Sequence, residues 1–540
     1  MKKLNLKPGL FSLLILSFSS AYAQGDFEFV KDIRTPNGGS MPQYLTEYDG
    51  KLYFNAYDDT YGQELWVTDG TGGGTQLLMD INPGNGGSNP NFLTVMNHML
   101  YFTANDPATG THLWKTYGTP AGTEAVVLGD SCVSPYYLTV YKDKLYFCAF
   151  DNTHGNELWV SDGSAGGTRM VKDINTRTDM GNGRTDDGNP SRFIVFNNLL
   201  YFAANDGVHG NELWVTDGTD MGTHMVKDIN PGIGSSSLIY PTVFGDNMYF
   251  RANDGTNGEE LWITNGSEGG TQLFKDIWPG VNSGAPQDLV ILNNKMFFGA
   301  SSNTGYGFWV SDGTVDGTVM LKQIWLFFFG DDKRHIAALN DRVYFRADDG
   351  FYGDELWTSD GTPGGTQMVK DIYPGMYGGC KFNYTTVYNN KLYFCGSDNN
   401  YSESLWVTDG TSAGTKRIAP TSWQSPLQGT SGFKEFKGSL FFAASYDERS
   451  LELWKLTTAT SGIPVLNIAA PIVYPSPAKS YIKLTQAAHE TYYNIISADG
   501  KVVLSGETGD TDTFTINVSA LNAGTYLLRT KNRINQFIKE

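Results

Sequence analysis

The chain is poor in cysteine and in positive charge, and apart from its first residues it has no long apolar run. Only four of its 540 residues are cysteine. No two of them form a CxxC pair, so a metal or redox site of that kind has little to build on. Carboxylates outnumber basic side chains 57 to 39, a formal net charge of -18. That balance excludes nucleic acid, whose binding needs a basic footprint, and suits solubility or the attraction of cations. Nothing after the N-terminus is apolar over the ~20 positions a spanning helix needs, so the chain reads as not transmembrane. The seven histidines, His98, His112, His154, His209, His224, His335 and His489, are scattered. No HExxH helix, GxSxG elbow or phosphate loop accompanies them. Among so many acidic residues no glycosidase-type pair stands out, and the sequence names no catalytic residue.

The N-terminus is the apolar exception, and it reads as an export signal over residues 1–23. Lys2, Lys3 and Lys7 precede an apolar stretch from Leu10 to Phe18, and Ala21-Tyr22-Ala23 makes a small-residue cleavage site before Gln24. The stretch is too short to span a bilayer. The mature chain is expected to be exported and soluble.

What the sequence has in quantity is a repeat. A Leu-Trp dipeptide, replaced by Phe308-Trp309 in one unit, returns at Trp66, Trp114, Trp159, Trp214, Trp262, Trp309, Trp357, Trp406 and Trp454, most clearly within ELWVTDGT at Glu64 to Thr71. Spacings of 45 to 55 residues match one supersecondary unit. Aromatics at 14% and 63 glycines suit short strands and tight turns rather than helices. One unit reads as four strands: Phe193 to Phe196, Leu199 to Ala204, Glu212 to Thr216 and His224 to Ile229. The links Asn197-Asn198 and Asp217-Gly218-Thr219 are hairpin chemistry, because such residues tolerate positive φ. Runs such as LYF and LWV are apolar at successive positions, so both faces of the sheet are covered. A short sheet covered on both faces by its own copies is a propeller blade; a parallel β-helix fits less well, its coils being shorter and not built from hairpins. The segment Phe29 to Arg34 matches a fourth strand with nothing before it, and the last unit, ending near Lys455, has only three. The N-terminal strand is therefore expected to complete the last blade and leave few free edges. The count is nine blades, with eight as the alternative.

ELWVTDGT, ELWVSDGS, ELWITNGS and ELWTSDGT resemble the bacterial ELWxxDGT-repeat proteins over residues 27–456. The resemblance implies a secreted repeat protein and carries no chemistry. The propeller is assigned to residues 24–457, with a linker over 458–470. From 471 to 540 the repeat is gone. VYPSPAKSYIKL, YYNIISADGKVV and FTINVSALNAGTYLLR resemble the C-terminal type A sorting domain of type IX secretion cargo, at Tyr474, Pro475, Pro477, Asp499, Gly500, Lys501, Leu521, Gly524, Tyr526 and Lys539. Ser476 stands where that family usually has Asn. The resemblance implies the type IX machinery as partner, and a product released or held on the outer-membrane surface of a Bacteroidetes-type bacterium. Independently, the ADG turn between alternating strands predicts a small β-sandwich.

Candidate sites follow. The duplicated placement of the cysteines favours the disulfides Cys132–Cys148 and Cys380–Cys395. The repeated Asp-Gly-Thr turns and Leu-Trp tryptophans read as structural, since an active site needs one asymmetric constellation. Asp179, Asp186 and Asp187, in the insertion of the longest unit, offer oxygens for a structural calcium ion; simple turn chemistry is the competing reading. Where the fourth strand leaves its blade, three consecutive units carry Trp278, Trp325 and Tyr373, with Trp423 following and an apolar run from Leu326 to Phe329. Consecutive blades would present these as an aromatic arc for glycans or a surface protein, unless the rings pack under linking loops or receive the sorting domain. The expected function is a secreted or cell-surface binding or adhesion module. The rival is an extracellular polysaccharide hydrolase or lyase with its site in the central funnel, and a third reading is a surface-layer component.

Overall fold

The computed structural model describes residues 26–34, 38–126, 133–178, 185–326, 335–398, 403–418, 428–446, 449–457, 473–474, 478–485, 493–497, 501–506, 513–530 and 534–540. They fall into two compact units, one within 24–458 and one within 459–540. The N-terminal export signal lies outside the described residues.

The first unit is all-β and consists of nine antiparallel four-stranded sheets. Their first strands are Gln43–Tyr48, Asn91–Met96, Val133–Tyr141, Ser191–Phe196, Ile239–Phe244, Gln287–Leu292, Ile336–Leu339, Cys380–Tyr388 and Gln428–Phe436, which number blades 1 to 9. Blade 4 is representative, with Leu199–Asn205, Asn211–Thr216 and His224–Lys227 following in order. Its first hairpin closes from Phe196 to Leu199, with Asn197 and Asn198 at φ 46 and 59. Positive φ at both turn residues matches the twist of the flanking strands.

Nine first strands touch in cyclic order, and the last of them meets the first. The ring is closed by sequence-distant pairing. Asp26–Lys31 runs antiparallel to Arg449–Thr457, with Phe29 opposite Trp454, and so supplies the missing fourth strand of blade 9. The core lies between blades rather than inside them. Trp262 of blade 5 packs with Tyr201, Leu213 and Val215 of blade 4, and Trp66 of blade 1 packs with Val30, Ile33, Phe441 and Leu453 of blade 9. Each tryptophan thus fills a slot against the preceding blade, where large rings bury the most area.

The Asp-Gly-Thr turn locks the same interface from above. Gly218 holds φ 100, and a Cβ at this position would collide with the Tyr146 hydroxyl of the preceding blade. Gly163 and Gly266 stand in the same relation to Tyr101 and Tyr201. Asp217 Oδ1 accepts from the Thr219 N–H and hydroxyl at 2.8 and 2.7 Å, which shapes the turn from within.

The cysteines correct the sequence-based expectation. Cys380 and Cys395 are buried free thiols. Cys380 faces Gly396 across the ladder and Lys381 faces Cys395, an offset of one residue. Successive residues point to opposite faces of a sheet, so the two sulfurs are on different sides. Cys395 Sγ donates instead to the Thr430 carbonyl at 2.7 Å. Cys148 is likewise a buried free thiol, opposite Tyr136; Cys132 lies outside the described residues.

The second unit carries two small sheets around one core. Val473–Tyr474, Tyr481–Thr485 and Thr513–Asn517 form one; Tyr493–Ser497, Val502–Gly506, Gly524–Thr530 and Ile534–Lys539 form the other. Ile482, Ile495, Ile516, Leu528 and Phe537 fill the space they share.

Candidate functional site

Because the strands alternate in direction, the first strand of a blade begins at the end where its fourth strand finishes. The loop between strands two and three is at that end too, so this face gathers the longest connections. Their backbone is held by the glutamate of the Glu-Leu-Trp motif. Glu260 accepts from the N–H groups of Ile277, Trp278 and Gly284 at 2.7, 3.3 and 2.6 Å. Glu355 does the same for Ile372, Tyr373 and Gly379 at 2.7, 3.2 and 2.9 Å. The repeated carboxylates are buried and organise the loops from beneath.

Burial pushes Glu64, Glu212, Glu260 and Glu355 up from 4.5 to about 7, and Glu157 to about 8, against the opposing pull of their N–H donors. The turn aspartates Asp69, Asp162 and Asp217 are held below 3.8, chiefly by the adjacent hydroxyl. An acid with a raised folded value binds more protons folded than unfolded. Its stabilising contribution is complete below the unfolded value and is lost as pH rises through the folded one; the lowered aspartates lose theirs as pH falls below 3.8. The melting temperature is therefore expected to peak near about pH 4.5 and to decline towards about pH 8. Calorimetry across that range checks it, and a rising melting temperature would mean that the glutamates stay ionised in the fold.

On this scaffold the predicted aromatics divide. Trp278 and Tyr373 directly follow the isoleucines held by Glu260 and Glu355; both are half-buried, and Tyr373 stacks on Tyr377 at 5.1 Å. Trp325 differs, because blade 6 has Gly307 at the glutamate position. Its chain continues instead as a short strand, Trp325–Leu326, paired with Asp348 and Ala347 of blade 7. Trp325 is 58% exposed and lies 5.3 Å from the Tyr306 ring. Trp423 and the run from Phe327 to Phe329 lie outside the described residues.

The structure adds side chains that the repeat pattern did not single out. Phe351, Met376 and Tyr377 are 76%, 79% and 58% exposed, and Tyr352 and Tyr306 are partly exposed. Gly353 has the backbone of Met376 and Tyr377 against it, so the loop of Phe351 and Tyr352 and the loop of Met376 and Tyr377 form one surface in blade 7. With Trp325 pairing to the same blade, an apolar patch extends across blades 6 and 7.

Residues 472–540 match the family of secretion system C-terminal sorting domains. The tail is a type IX sorting domain. The protein is accordingly secreted or carried on the outer surface, and its sorting domain implies interaction with the secretion machinery. No helix among the described residues is long and apolar enough to cross a membrane. Comparison with curated proteins finds no match. Among solved structures the chain is similar to a puromycin hydrolase, at 13% identity over 75% of this chain and 58% of that one, with a TM-score of 0.34. A puromycin-hydrolyzing peptidase of Mycobacterium tuberculosis matches at 11% identity over 79% and 62%, TM-score 0.37. Sqt1 of Saccharomyces cerevisiae matches at 10% over 81% and 99%, TM-score 0.34. The chain spans less than two thirds of the two hydrolases. Likenesses this distant carry no argument about activity.

In the sorting domain, Tyr474 pairs with Lys483, and the Lys501 carbonyl accepts from the Ser497 N–H at 2.9 Å across the hairpin. Tyr526 follows Gly524 on one strand, stacks on Phe537 at 5.7 Å and donates its hydroxyl to the Asn522 carbonyl at 3.0 Å. Lys539 is buried. Pro475, Pro477, Asp499 and Gly500 lie outside the described residues.

The calcium candidates are only partly placed. Asp179 lies outside the described residues. Asp187 Oδ1 accepts from the Asn156 N–H at 2.9 Å, and the Asp186 N–H donates to the Arg177 carbonyl at 2.7 Å. Both therefore take part in loop hydrogen bonding, and among the described residues no three His, Cys, Asp or Glu side chains are grouped to hold a metal ion.

The first strands also line an axial channel. On the side of blades 4 to 8 its wall mixes aliphatic Val195, Val243, Ile291, Ala338 and Val387 with Thr242, Tyr384 and Thr385, and borders an open cavity of about 810 Å³. Asp288 and His335, on blades 6 and 7, form the acid–base pair nearest to what a funnel enzyme would need. Both are buried, and His335 directs its N–H and its Nδ1, at 3.2 Å, to Asp288 Oδ2. The pair ties the start of one first strand to its neighbour.

Proposed function

We propose that the ring is a carbohydrate-binding module presented outside the cell, contacting its ligand through the aromatic patch of blades 5 to 7. The observation that carries this reading is the joint exposure of Trp325, Phe351 and Tyr377, with Trp325 held on a short strand paired to blade 7 and Tyr377 in a loop whose two ends are fixed by Glu355. Large apolar side chains exposed together mark a contact surface, and flat rings held rigidly suit the apolar face of a sugar. Repeated motifs supply the scaffold, while the patch is peculiar to a few blades, as a site must be. The hydrolase reading draws less support, since Asp288 and His335 are both buried.

The test is a titration of the purified protein with a panel of polysaccharides, following tryptophan fluorescence, beside a Trp278→Ala/Trp325→Ala/Tyr373→Ala variant. Saturable binding that falls at least about tenfold in the variant, a loss of about 1.4 kcal/mol, is expected. No binding to any polysaccharide by the parent protein would overturn the reading and direct attention to a protein partner. Release of reducing sugar during the titration would favour the hydrolase instead.

A further inference from the structure

The first strands carry a second, different aromatic group. Six blades place a non-glycine residue at positive φ at the same step of the strand: Tyr44, Phe92, Tyr137, Arg192, Tyr240 and Asp288, with φ between 52 and 62. Each lies at a break in register against the second strand, a bulge that re-aims the side chain. Blade 9 has Gly432 at that step, at φ 66, where the conformation costs a glycine little. Bulky residues held in this region are uncommon; the bulge recurs in seven blades and so belongs to the scaffold, while the side chain that it re-aims differs from blade to blade.

In blades 1 to 3 that side chain is aromatic. Tyr44 and Tyr137 are 46% and 37% exposed, and the rings of Phe92 and Tyr137 lie 6.0 Å apart at 68°. With Asn91 and Phe433 they line an open cavity of about 660 Å³ at the axis. The two outermost of the three rings carry hydroxyls, so the cavity offers flat apolar faces with hydrogen-bonding groups beside them. The residues that line the cavity carry no formal charge, and the chain as a whole carries a formal net charge of -18, which disfavours a polyanion.

We infer that the axial mouth is a second carbohydrate subsite, taking a neutral glycosyl residue against Tyr44, Phe92 and Tyr137. The inference rests on the glycan reading of the rim. First strands begin where fourth strands end, so the mouth opens on the face that carries Trp325 and Tyr377.

The experiment combines calorimetric titration with chitohexaose, cellohexaose and xylohexaose and soaking of crystals of the full chain with the same probes. A Tyr44→Asn/Phe92→Asn/Tyr137→Asn variant removes the rings while keeping residues that tolerate positive φ. It is expected to bind the preferred hexasaccharide at least tenfold more weakly at an undiminished melting temperature, and the parent crystals are expected to show sugar density at the mouth. Density on the rim alone, with parental affinity in the variant, overturns the axial subsite and leaves the rim site standing. Absence of binding and density with all three probes overturns both. Should the variant fail to fold, density in the parent crystals decides.

Discussion

Deletion of residues 26–34 is expected to abolish cooperative folding of the ring. That segment is the fourth strand of blade 9, and it brings Val30 and Ile33, each 4% exposed, into the cluster shared by blades 9 and 1. Phe29 packs on Trp454 at 5.0 Å and Phe27 on Phe442 at 6.4 Å. Burying two such side chains fully and two partly stabilises by about 4–9 kcal/mol, against a total of about 5–15 kcal/mol for a typical native protein. The deletion also exposes the edge of Arg449–Thr457, a template for aggregation. Thermal melts by circular dichroism with light scattering would report it, and a synthetic peptide of residues 24–36 should restore the transition. A deletion variant that melts as the parent does would mean that inter-blade packing alone closes the ring.

Replacing Glu260 by alanine is expected to cost about 3–5 kcal/mol. Three N–H groups, of Ile277, Trp278 and Gly284, lose a buried acceptor, and each unsatisfied buried donor costs about 1–3 kcal/mol where water cannot replace the partner. The cavity left by the side chain admits some water, which keeps the estimate below the sum. Because the same bonds fix the chain on either side of Trp278, saccharide binding should weaken along with stability. Glu260→Gln preserves the shape with one acceptor oxygen and should fall between. Denaturant titration measures both, and an alanine variant within about 1 kcal/mol of the parent would remove the glutamate from the scaffold.

Much of this architecture was legible in the residues. Apolar runs broken by Asn197-Asn198 and Asp217-Gly218 located the strands of blade 4 to within one or two residues, because turn chemistry is local. Phe29 to Arg34 could be matched to a fourth strand by its own side chains. Register was not legible. The spacing of Cys380 and Cys395 suggested a pair, but the one-residue offset that separates them depends on how two strands align. The partners of Glu260, 17 and 24 residues downstream, were hidden for a similar reason: the motif does not say which backbone it will hold. Phe351, Tyr352, Met376 and Tyr377 lie in loops that vary from unit to unit, and Tyr306 on a strand where the Glu-Leu-Trp motif is replaced, so periodicity could not single them out, and only the folded ring sets them beside Trp325. Tyr44, Phe92 and Tyr137 read as ordinary strand residues, since a bulge leaves no mark in an aromatic-rich pattern.

The central claim is that scaffold and site are separate sets of residues, the first repeated and the second confined to a few blades. Hydrogen exchange of the protein with and without its saturating polysaccharide tests it most directly. Protection is predicted at the loops around Trp278, Trp325, Phe351 and Tyr377 and at the axial ends of the first strands of blades 1 to 3. The Asp-Gly-Thr turns on the opposite face should exchange as before. Protection spread evenly over all nine blades, or centred on those turns, would contradict it.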